Sequence, residues 1–278
     1  MIRLTLLSVC LALLPQVQAS ERVVSLDYCA DQYALKLLPR DRIVALSPDG
    51  TKNFSYLRKQ AVGLPTIRPI AEEILLAKPD VVIRSYGGGS GITHFLQRFG
   101  IDVIQIGYAG NLASIQRNIL DIATGLGQPQ QGQAIVDDMA AQLAALKTQH
   151  DTPNTPTALY MVPTGYTSGL GTLIDELLLS AGLTNYVQTP GWHPLPLEQL
   201  LYKSPQVTVL AFYETLADRT AAWSAMAHPV AQRQLEITQS VPLQGAWTAC
   251  GGWFVVEAIQ AMANAGTGVQ AEQAMPHE

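Results

Sequence analysis

The chain has 278 residues, a formal net charge of −5 and only 14% charged residues. A mildly acidic chain with few charges offers no basic stripe, which argues against nucleic acid as a partner. The length suffices for two lobes of ordinary domain size. The three cysteines form no CxxC pair and no Cys/His cluster, so no metal site is expected.

Residues 1–19 have the features of a secretory signal peptide. Arg3 gives a positive start, an apolar run extends from Leu4 to Leu14, and a small-residue cleavage site ends at Ala19. The run is about half of the ~20 residues that a transmembrane helix needs, so a retained anchor is not expected. Cys10 lies inside the run, which argues against a lipoprotein. We therefore expect a periplasmic monomer without stable membrane insertion.

The segment 20–127 alternates short β-branched runs with helical segments, and this alternation predicts a mostly parallel sheet covered on both faces. Pro39 and Gly100 end the two helices identified here. The predicted strands are Val23–Leu26, Ile43–Leu46, Val81–Arg84 and Val103–Ile106, and the helices are Ala30–Leu38 and Ile92–Phe99. This segment is predicted to form the first lobe.

A single long helix is predicted within residues 128–150. Apolar side chains recur there at spacings of four, four and three, on one face of a helix from about Gln130 to Lys147. They are Ile135, Met139, Leu143 and Leu146. Two prolines and an Asn then break the pattern in residues 150–156. We interpret the helix as a rigid strut between two lobes.

The segment 151–278 resumes the pattern of the first lobe. Its predicted strands are Ala158–Val162, Val207–Phe212 and a less regular run near Ile237–Leu243, and its helices are Leu173–Ala181, Leu197–Tyr202 and Phe254–Ala265. A short internal repeat supports related lobes. Glu72 precedes Pro79 by seven residues, and Glu198 precedes Pro205 by the same spacing. The sequence predicts an α/β fold of two Rossmann-like lobes joined by one bridging helix, with a ligand cleft between them.

Aromatic residues follow the predicted strands in both halves. They are Tyr28, Tyr86 and Tyr108 in the first half and Tyr166, Tyr213 and Trp247 in the second. Ligands of open α/β sheets bind outside the carboxyl ends of the strands. Flat side chains at those ends predict a pocket for a bulky, partly apolar ligand that contains rings. The alternative, that some of them only cover sheet edges and helix ends, stays open.

Catalytic patterns are weak, so the chain is not expected to be an enzyme. The glycine-rich stretch 87–91 matches neither a phosphate-binding loop nor a nucleophile elbow, and we interpret it as a flexible loop bordering the cleft. The five histidines are scattered and no nucleophile–base pair stands out in the sequence. An exported hydrolase remains the alternative from a different functional class.

Four motifs, taken in order, resemble those of class III periplasmic binding proteins of ABC importers. They are ERVVSLDYCADQYALKLLPRDRIVAL, AEEILLAKPDVVI, TSGLGTLIDELLLSAGLTN and GW(x5)EQLLYKSPQVTV. The family serves ferric siderophores, haem and vitamin B12, and the likeness is greatest to members that bind vitamin B12. The resemblance implies two lobes bridged by one long helix, no cofactor, and delivery of a small-molecule metal chelate to a permease dimer.

The resemblance also implies roles for individual residues. Glu72 and Glu198 fall where a glutamate on each lobe docks onto the permease, although both also suit the N-terminal dipole of a helix. Tyr166, Trp192 and Trp247 fall at aromatic positions of the family. With them we expect Tyr28, Tyr86 and Arg84 to contact the ligand. The Arg84 guanidinium is suited to an anionic chelate, with a salt bridge beside the sheet as the alternative.

The ligand predicted on this basis is a ferric siderophore or a related iron complex. The stretch SLDYCADQ departs from the pattern of vitamin B12 binders and places Cys29 near the cleft, so a cobalamin or other corrinoid is the alternative. A bare metal ion would need converging His and carboxylate ligands, which the sequence does not suggest. Cys29 and Cys250 both lie near expected cleft loops, and we hypothesise that they form a disulfide across the lobes.

Overall fold

A computed structural model describes residues 21–149, 155–211 and 224–274. The predicted signal peptide and Tyr213 lie outside the described residues.

The first lobe is built on a parallel sheet in the order β2-β1-β3-β4. Its strands are β1 (Val23–Ser25), β2 (Ile43–Ala45), β3 (Val81–Arg84) and β4 (Asp102–Gln105). Its helices are α1 (Tyr28–Leu37), α2 (Arg58–Ala61), α3 (Ala71–Ala77), α4 (Ile92–Gln97) and α5 (Leu112–Gly125). Buried side chains of β1 and β3 alternate between two clusters, one shared with α1 and α5 and the other with α3 and α4.

The second lobe has a parallel sheet in the order β10-β9-β5-β7 and a two-stranded antiparallel ribbon, β6-β8. The strands are β5 (Thr157–Met161), β6 (Tyr166–Ser168), β7 (Thr184–Asn185), β8 (Trp192–Pro194), β9 (Val207–Leu210) and β10 (Gln239–Pro242). The helices are α7 (Leu173–Ser180), α8 (Leu197–Tyr202), α9 (Pro229–Ile237), α10 (Gly245–Thr248) and α11 (Val255–Ala274).

The two lobes share one sheet topology. When the parallel strands of each lobe are numbered separately along the chain, both sheets have the order 2-1-3-4. Helix α3 precedes the third strand of its sheet and α8 precedes the third strand of the other. Glu72 and Glu198 are each the second residue of these helices. The short internal repeat therefore falls on equivalent elements of two lobes.

Helix α6 (Pro129–Gln149) is the long helix expected between the lobes. Its residues Ile135, Met139 and Leu146 are buried in the largest apolar cluster. That cluster contains residues of both lobes, including Ile119 of α5 and Leu177 of α7. Burial against both lobes makes α6 a packed strut.

The structure departs from the predicted elements mainly where strands are short. β6, β7 and β8 have three, two and three residues, too few for a period-two pattern to emerge. The last helix continues to Ala274 instead of ending near Ala265. Gly266 lies within this helix, where it packs closely against Leu183. A Cβ at position 266 would lie only 3.0 Å from Leu183 Cδ2.

Candidate ligand-binding cleft

A disulfide brings together the carboxyl ends of the two sheets. Cys29 lies in the first turn of α1, just after β1, and Cys250 follows α10, which comes after β10. Their sulfur atoms are 1.97 Å apart and their Cα atoms 5.6 Å apart, at a sequence separation of 221. The predicted pairing is thus present. Because each cysteine follows a strand, the edges where ligands of such sheets bind are joined.

The segment from Gly251 to Glu257 forms a second contact between the lobes. Phe254 is buried and stacks on Tyr56 of the first lobe, with ring centroids 4.6 Å apart. The Tyr33 hydroxyl donates to the carbonyl oxygen of Gly251 at 3.3 Å. A Cβ on Gly251 would lie 2.2 Å from the Ala109 Cβ, so glycine is needed for this close approach. The lobes are therefore packed against each other beside the disulfide.

Two of the predicted ligand residues meet at the edge of the first lobe. The Tyr28 ring packs edge-on against Phe54 at 4.7 Å and against Tyr86 at 6.1 Å. Tyr86 is 55% exposed, whereas Tyr28 is half-buried. Burial raises the pKa of both phenols above the ordinary value. At neutral pH the pair thus presents aromatic faces and protonated phenols.

The buried Asp27 carboxylate holds this pair in place. Its Oδ1 accepts from the backbone N–H of Ala30 at 3.0 Å and so caps the N-terminus of α1. Its Oδ2 accepts from the backbone N–H groups of Ser85, Tyr86 and Gly87 at 2.7, 3.0 and 3.0 Å. One carboxylate therefore ties the loop that carries Tyr86 to the start of α1.

The glycine-rich stretch packs closely against the end of β1 at its first glycine. A Cβ on Gly87 would lie 2.2 Å from the Leu26 carbonyl oxygen, so only glycine allows the loop to approach β1 this closely. Gly88 and Gly89 have φ values of 84° and 74°, which side chains disfavour. These glycines shape the edge of the cleft.

Tyr166 and Trp192 form the matching pair on the second lobe. In the β6-β8 ribbon Tyr166 is opposite Pro194 and Ser168 is opposite Trp192. Side chains two residues apart in a strand share a face, so Tyr166 and Trp192 are diagonal neighbours on one side of the ribbon. They are 47% and 51% exposed. Trp192 also packs edge-on against the buried Tyr160 at 6.1 Å, which anchors the indole to β5.

Trp247 lies in a pocket between the lobes. It lines this pocket of about 410 Å³ together with Tyr56, Arg58 and Glu257, where α2 of the first lobe faces α10 and α11. The Tyr56 hydroxyl donates to Glu257 Oε1 at 3.3 Å across this pocket. Trp247 is therefore a residue of the contact between lobes.

Arg84 is buried at the end of β3, with 6% of its surface exposed. Its Nη1 donates to Thr93 Oγ1 of α4 at 3.1 Å, and its Nε has no hydrogen-bond partner. Neither of the two ion pairs found in the described part of the chain involves Arg84. The salt bridge considered from the sequence is thus not seen among those residues, and the guanidinium is packed between β3 and α4.

Asp31 is a further buried carboxyl group that sequence reasoning missed. Ser47 donates to it twice, from its backbone N–H at 3.0 Å and from its hydroxyl at 2.6 Å. These bonds fasten α1 to the loop after β2, the loop that carries Phe54 and Tyr56. Burial raises the Asp31 pKa to about 7. The sequence did offer one signal for it. Asp27 directly follows a predicted strand, and a second aspartate, Asp31, comes four residues later in the predicted helix.

The two glutamates expected to dock on a permease are both exposed. Neither Glu72 nor Glu198 takes part in an ion pair within the described ranges. The same ranges contain no cluster of three His, Cys, Asp or Glu residues suited to a metal ion. They also contain no helix long and apolar enough to cross a membrane.

The sequence profile of periplasmic binding proteins matches residues 23–221, more than half of the chain. The chain belongs to the periplasmic binding protein family. Members of this family are solute-binding proteins of ABC importers rather than enzymes. A comparison with curated proteins gave no significant match.

Solved structures of periplasmic binding proteins share the fold. A periplasmic heme-binding protein from Roseiflexus sp. RS-1 is 20% identical with a TM-score of 0.67, covering 89% of this chain and 99% of its own. The periplasmic vitamin B12-binding protein of Vibrio cholerae is 22% identical with a TM-score of 0.66, covering 90% and 98%. An ABC-type Fe3+-hydroxamate transport protein from Saccharomonospora viridis DSM 43017 is 18% identical with a TM-score of 0.62, covering 88% and 93%. These likenesses establish the two-lobed fold and leave the ligand open.

The Asp27 carboxylate predicts a sensitivity to an isosteric change. In Asp27→Asn an amide NH2 replaces one carboxylate oxygen. Because both oxygens accept from backbone N–H groups, the new NH2 group would face a backbone donor instead of an acceptor. We expect the free energy of unfolding to fall by about 2–3 kcal/mol, measured by equilibrium urea denaturation. The exposed Asp49, which also lies near the two tyrosines, provides the control Asp49→Asn. Equal stability of the two variants would contradict the role of Asp27.

Asp31 predicts a pH dependence of stability. Its pKa of about 7 lies above the unfolded value of 3.8, so between these values the folded state keeps a proton that the unfolded chain releases. The stability of the wild type therefore falls as pH rises through this window. The amide in Asp31→Asn cannot ionise. The free energy of unfolding of this variant, relative to that of the wild type, should therefore rise by up to about 4 kcal/mol from pH 4 to pH 8.

This prediction is checked by urea denaturation across that pH range, with the exposed Asp41→Asn as the matched control. A difference in the free energy of unfolding between Asp31→Asn and the wild type that stays constant across this pH range would contradict the prediction.

Proposed function

We propose that the chain is the receptor of an ABC importer for a bulky metal chelate, a ferric siderophore or a related iron complex. The ligand would lie between Tyr28 and Tyr86 of one lobe and Tyr166 and Trp192 of the other. The observation that carries the proposal is that each lobe offers a partly exposed aromatic pair where the carboxyl ends of the two joined sheets lie.

The chemistry of these side chains suits a flat and oxygen-rich ligand. Aromatic faces bury large apolar area without much loss of side-chain freedom. The phenols of Tyr28 and Tyr86 have raised pKa values, so they remain protonated and can donate to carboxylate, catecholate or hydroxamate oxygens. The metal ion would be held by the chelator as cargo, and the protein would bind the complex around it.

Arg84 favours an anionic complex. A guanidinium keeps its charge at any physiological pH, and a buried one without a counter-charge is costly. We propose that an anionic ligand supplies part of this counter-charge by its position above β3. This is the reason for ranking an anionic iron complex above a corrinoid. Trp247 belongs to the neighbouring pocket and would border the site.

Delivery would use the two equivalent glutamates. Glu72 and Glu198 are exposed at the same position of equivalent helices on two lobes of the same topology. Two such carboxylates can meet two basic sites related by the twofold axis of a permease dimer. Exposed pairs of this kind set register and association rate more than affinity.

The ligand is tested by tryptophan-fluorescence titration of the mature protein with haemin, a ferric catecholate, a ferric hydroxamate and cyanocobalamin. Saturable quenching by one of the iron complexes is expected at micromolar concentration or below. Trp192→Ala and Tyr86→Ala should weaken that binding about tenfold or more, because each removes a central aromatic contact. Tyr202→Ala is the control, since this tyrosine is 90% exposed on α8.

Saturation by cyanocobalamin alone would reassign the ligand to the corrinoid alternative. No saturation by any of the four compounds would contradict the proposed function.

Docking is tested by reversing both charges, Glu72→Lys with Glu198→Lys, in the producing bacterium. Uptake of the bound complex should be lost while ligand affinity of the purified variant stays unchanged, because both residues lie outside the aromatic pairs. The variant Asp121→Lys with Asp138→Lys changes net charge equally at exposed positions of α5 and α6. Wild-type uptake by the glutamate variant would rule out the docking role.

A further inference from the structure

Each helix that carries a proposed docking glutamate also exposes a large apolar side chain one turn later. Leu76 follows Glu72 by four residues in α3, and Tyr202 follows Glu198 by four residues in α8. Leu76 is 80% exposed and Tyr202 is 90% exposed. Because residues four apart share a helix face, each helix presents a carboxylate beside a large apolar group.

Leu76 and Tyr202 do not contribute to the core of their lobes, so packing does not explain why they are large and apolar. Each helix packs into the core through a different residue, which lies midway between the glutamate and the exposed apolar side chain. This residue is Ile74 in α3, which is 0% exposed, and Leu200 in α8, which is 3% exposed. Single exposed apolar residues are common on protein surfaces. Here, however, Leu76 and Tyr202 occupy the same position of equivalent helices in two lobes, which points to a shared use.

The apolar surface is wider on the second lobe. Leu201 is 63% exposed and Ile237 is 54% exposed, and both line a pocket of about 250 Å³ between α8 and α9. Pro229 and Val230 form its other side. Arg233 and Ser204 also line the groove, so its surface is mixed polar and apolar. Because the groove lies on the helix that carries Glu198, a partner that reaches the carboxylate also meets the apolar side chains Leu201 and Ile237.

We propose that Leu76 and Tyr202 are the apolar half of the permease interface, each packing beside the basic site that receives the neighbouring glutamate. The inference rests on the docking role proposed above for Glu72 and Glu198. A partner with its own twofold axis fits two equivalent patches on one chain, whereas an asymmetric partner would use only one. Apolar groups beside a carboxylate exclude water, so they protect the ion pair from screening and supply the buried area that it lacks.

The test measures binding of fluorescently labelled mature protein to membrane vesicles from the producing bacterium, with vesicles lacking the permease as background. Leu76→Ser with Tyr202→Ser should weaken binding about tenfold at both about 50 mM and about 300 mM salt. Glu72→Gln with Glu198→Gln should weaken it mainly at the lower salt. Leu76→Met with Tyr202→Phe keeps the apolar area and should bind like the wild type.

Val62→Ser with Leu179→Ser is the matched control, because these side chains are 64% and 58% exposed at the end of α2 and in α7, not on α3 or α8. Unchanged binding of Leu76→Ser with Tyr202→Ser, together with a loss in the glutamate variant, would overturn this inference and leave the docking role intact. Unchanged binding of both variants would overturn the two together. A wild-type dimer in sedimentation equilibrium that the serine variant abolishes would assign the patches to self-association and also overturn the inference.

Discussion

The disulfide between Cys29 and Cys250 decides where the carboxyl ends of the two sheets meet, and the arrangement of the cleft follows from that position. It attaches the start of α1, next to Tyr28, to the segment before α11. The same segment stacks Phe254 on Tyr56 and receives a hydrogen bond from Tyr33 at Gly251. A covalent bond and an apolar contact thus act at one point, while α6 packs against both lobes elsewhere. Together they restrict how far the lobes can separate.

Buried carboxyl groups hold the side chains of the proposed ligand site in position. Asp27 fixes Tyr86 relative to α1, and Asp31 fixes the loop that carries Phe54. On the other lobe a short ribbon anchored by Tyr160 presents Trp192. For the proposed function, we expect binding at such a positioned site to lose little free energy in ordering the protein, so that affinity depends on how well the aromatic site matches the ligand.

Much of this architecture could be predicted from the sequence, because buried parallel strands and the apolar face of α6 leave strong periodic patterns. The runs at Val81–Arg84 and Leu197–Tyr202 match observed elements. The ribbon that carries Tyr166 and Trp192 left no such pattern, since its strands have three residues each. The bonds of Asp27 to residues 85–87 depend on tertiary contact across about 60 positions and have no local signature. For the same reason the sequence did not indicate that Trp247 lines a pocket with Tyr56.

We expect the contact between the lobes to hold the cleft at one width. Double electron–electron resonance between spin labels at the exposed positions Gln97→Cys and Gln199→Cys, one on each lobe, measures this width. With the native disulfide intact, we expect a single narrow distance distribution whose maximum moves by less than about 2 Å when ligand binds. Adding Cys29→Ser and Cys250→Ser should broaden it. A broad or two-peaked distribution in the disulfide-bonded protein would contradict this expectation.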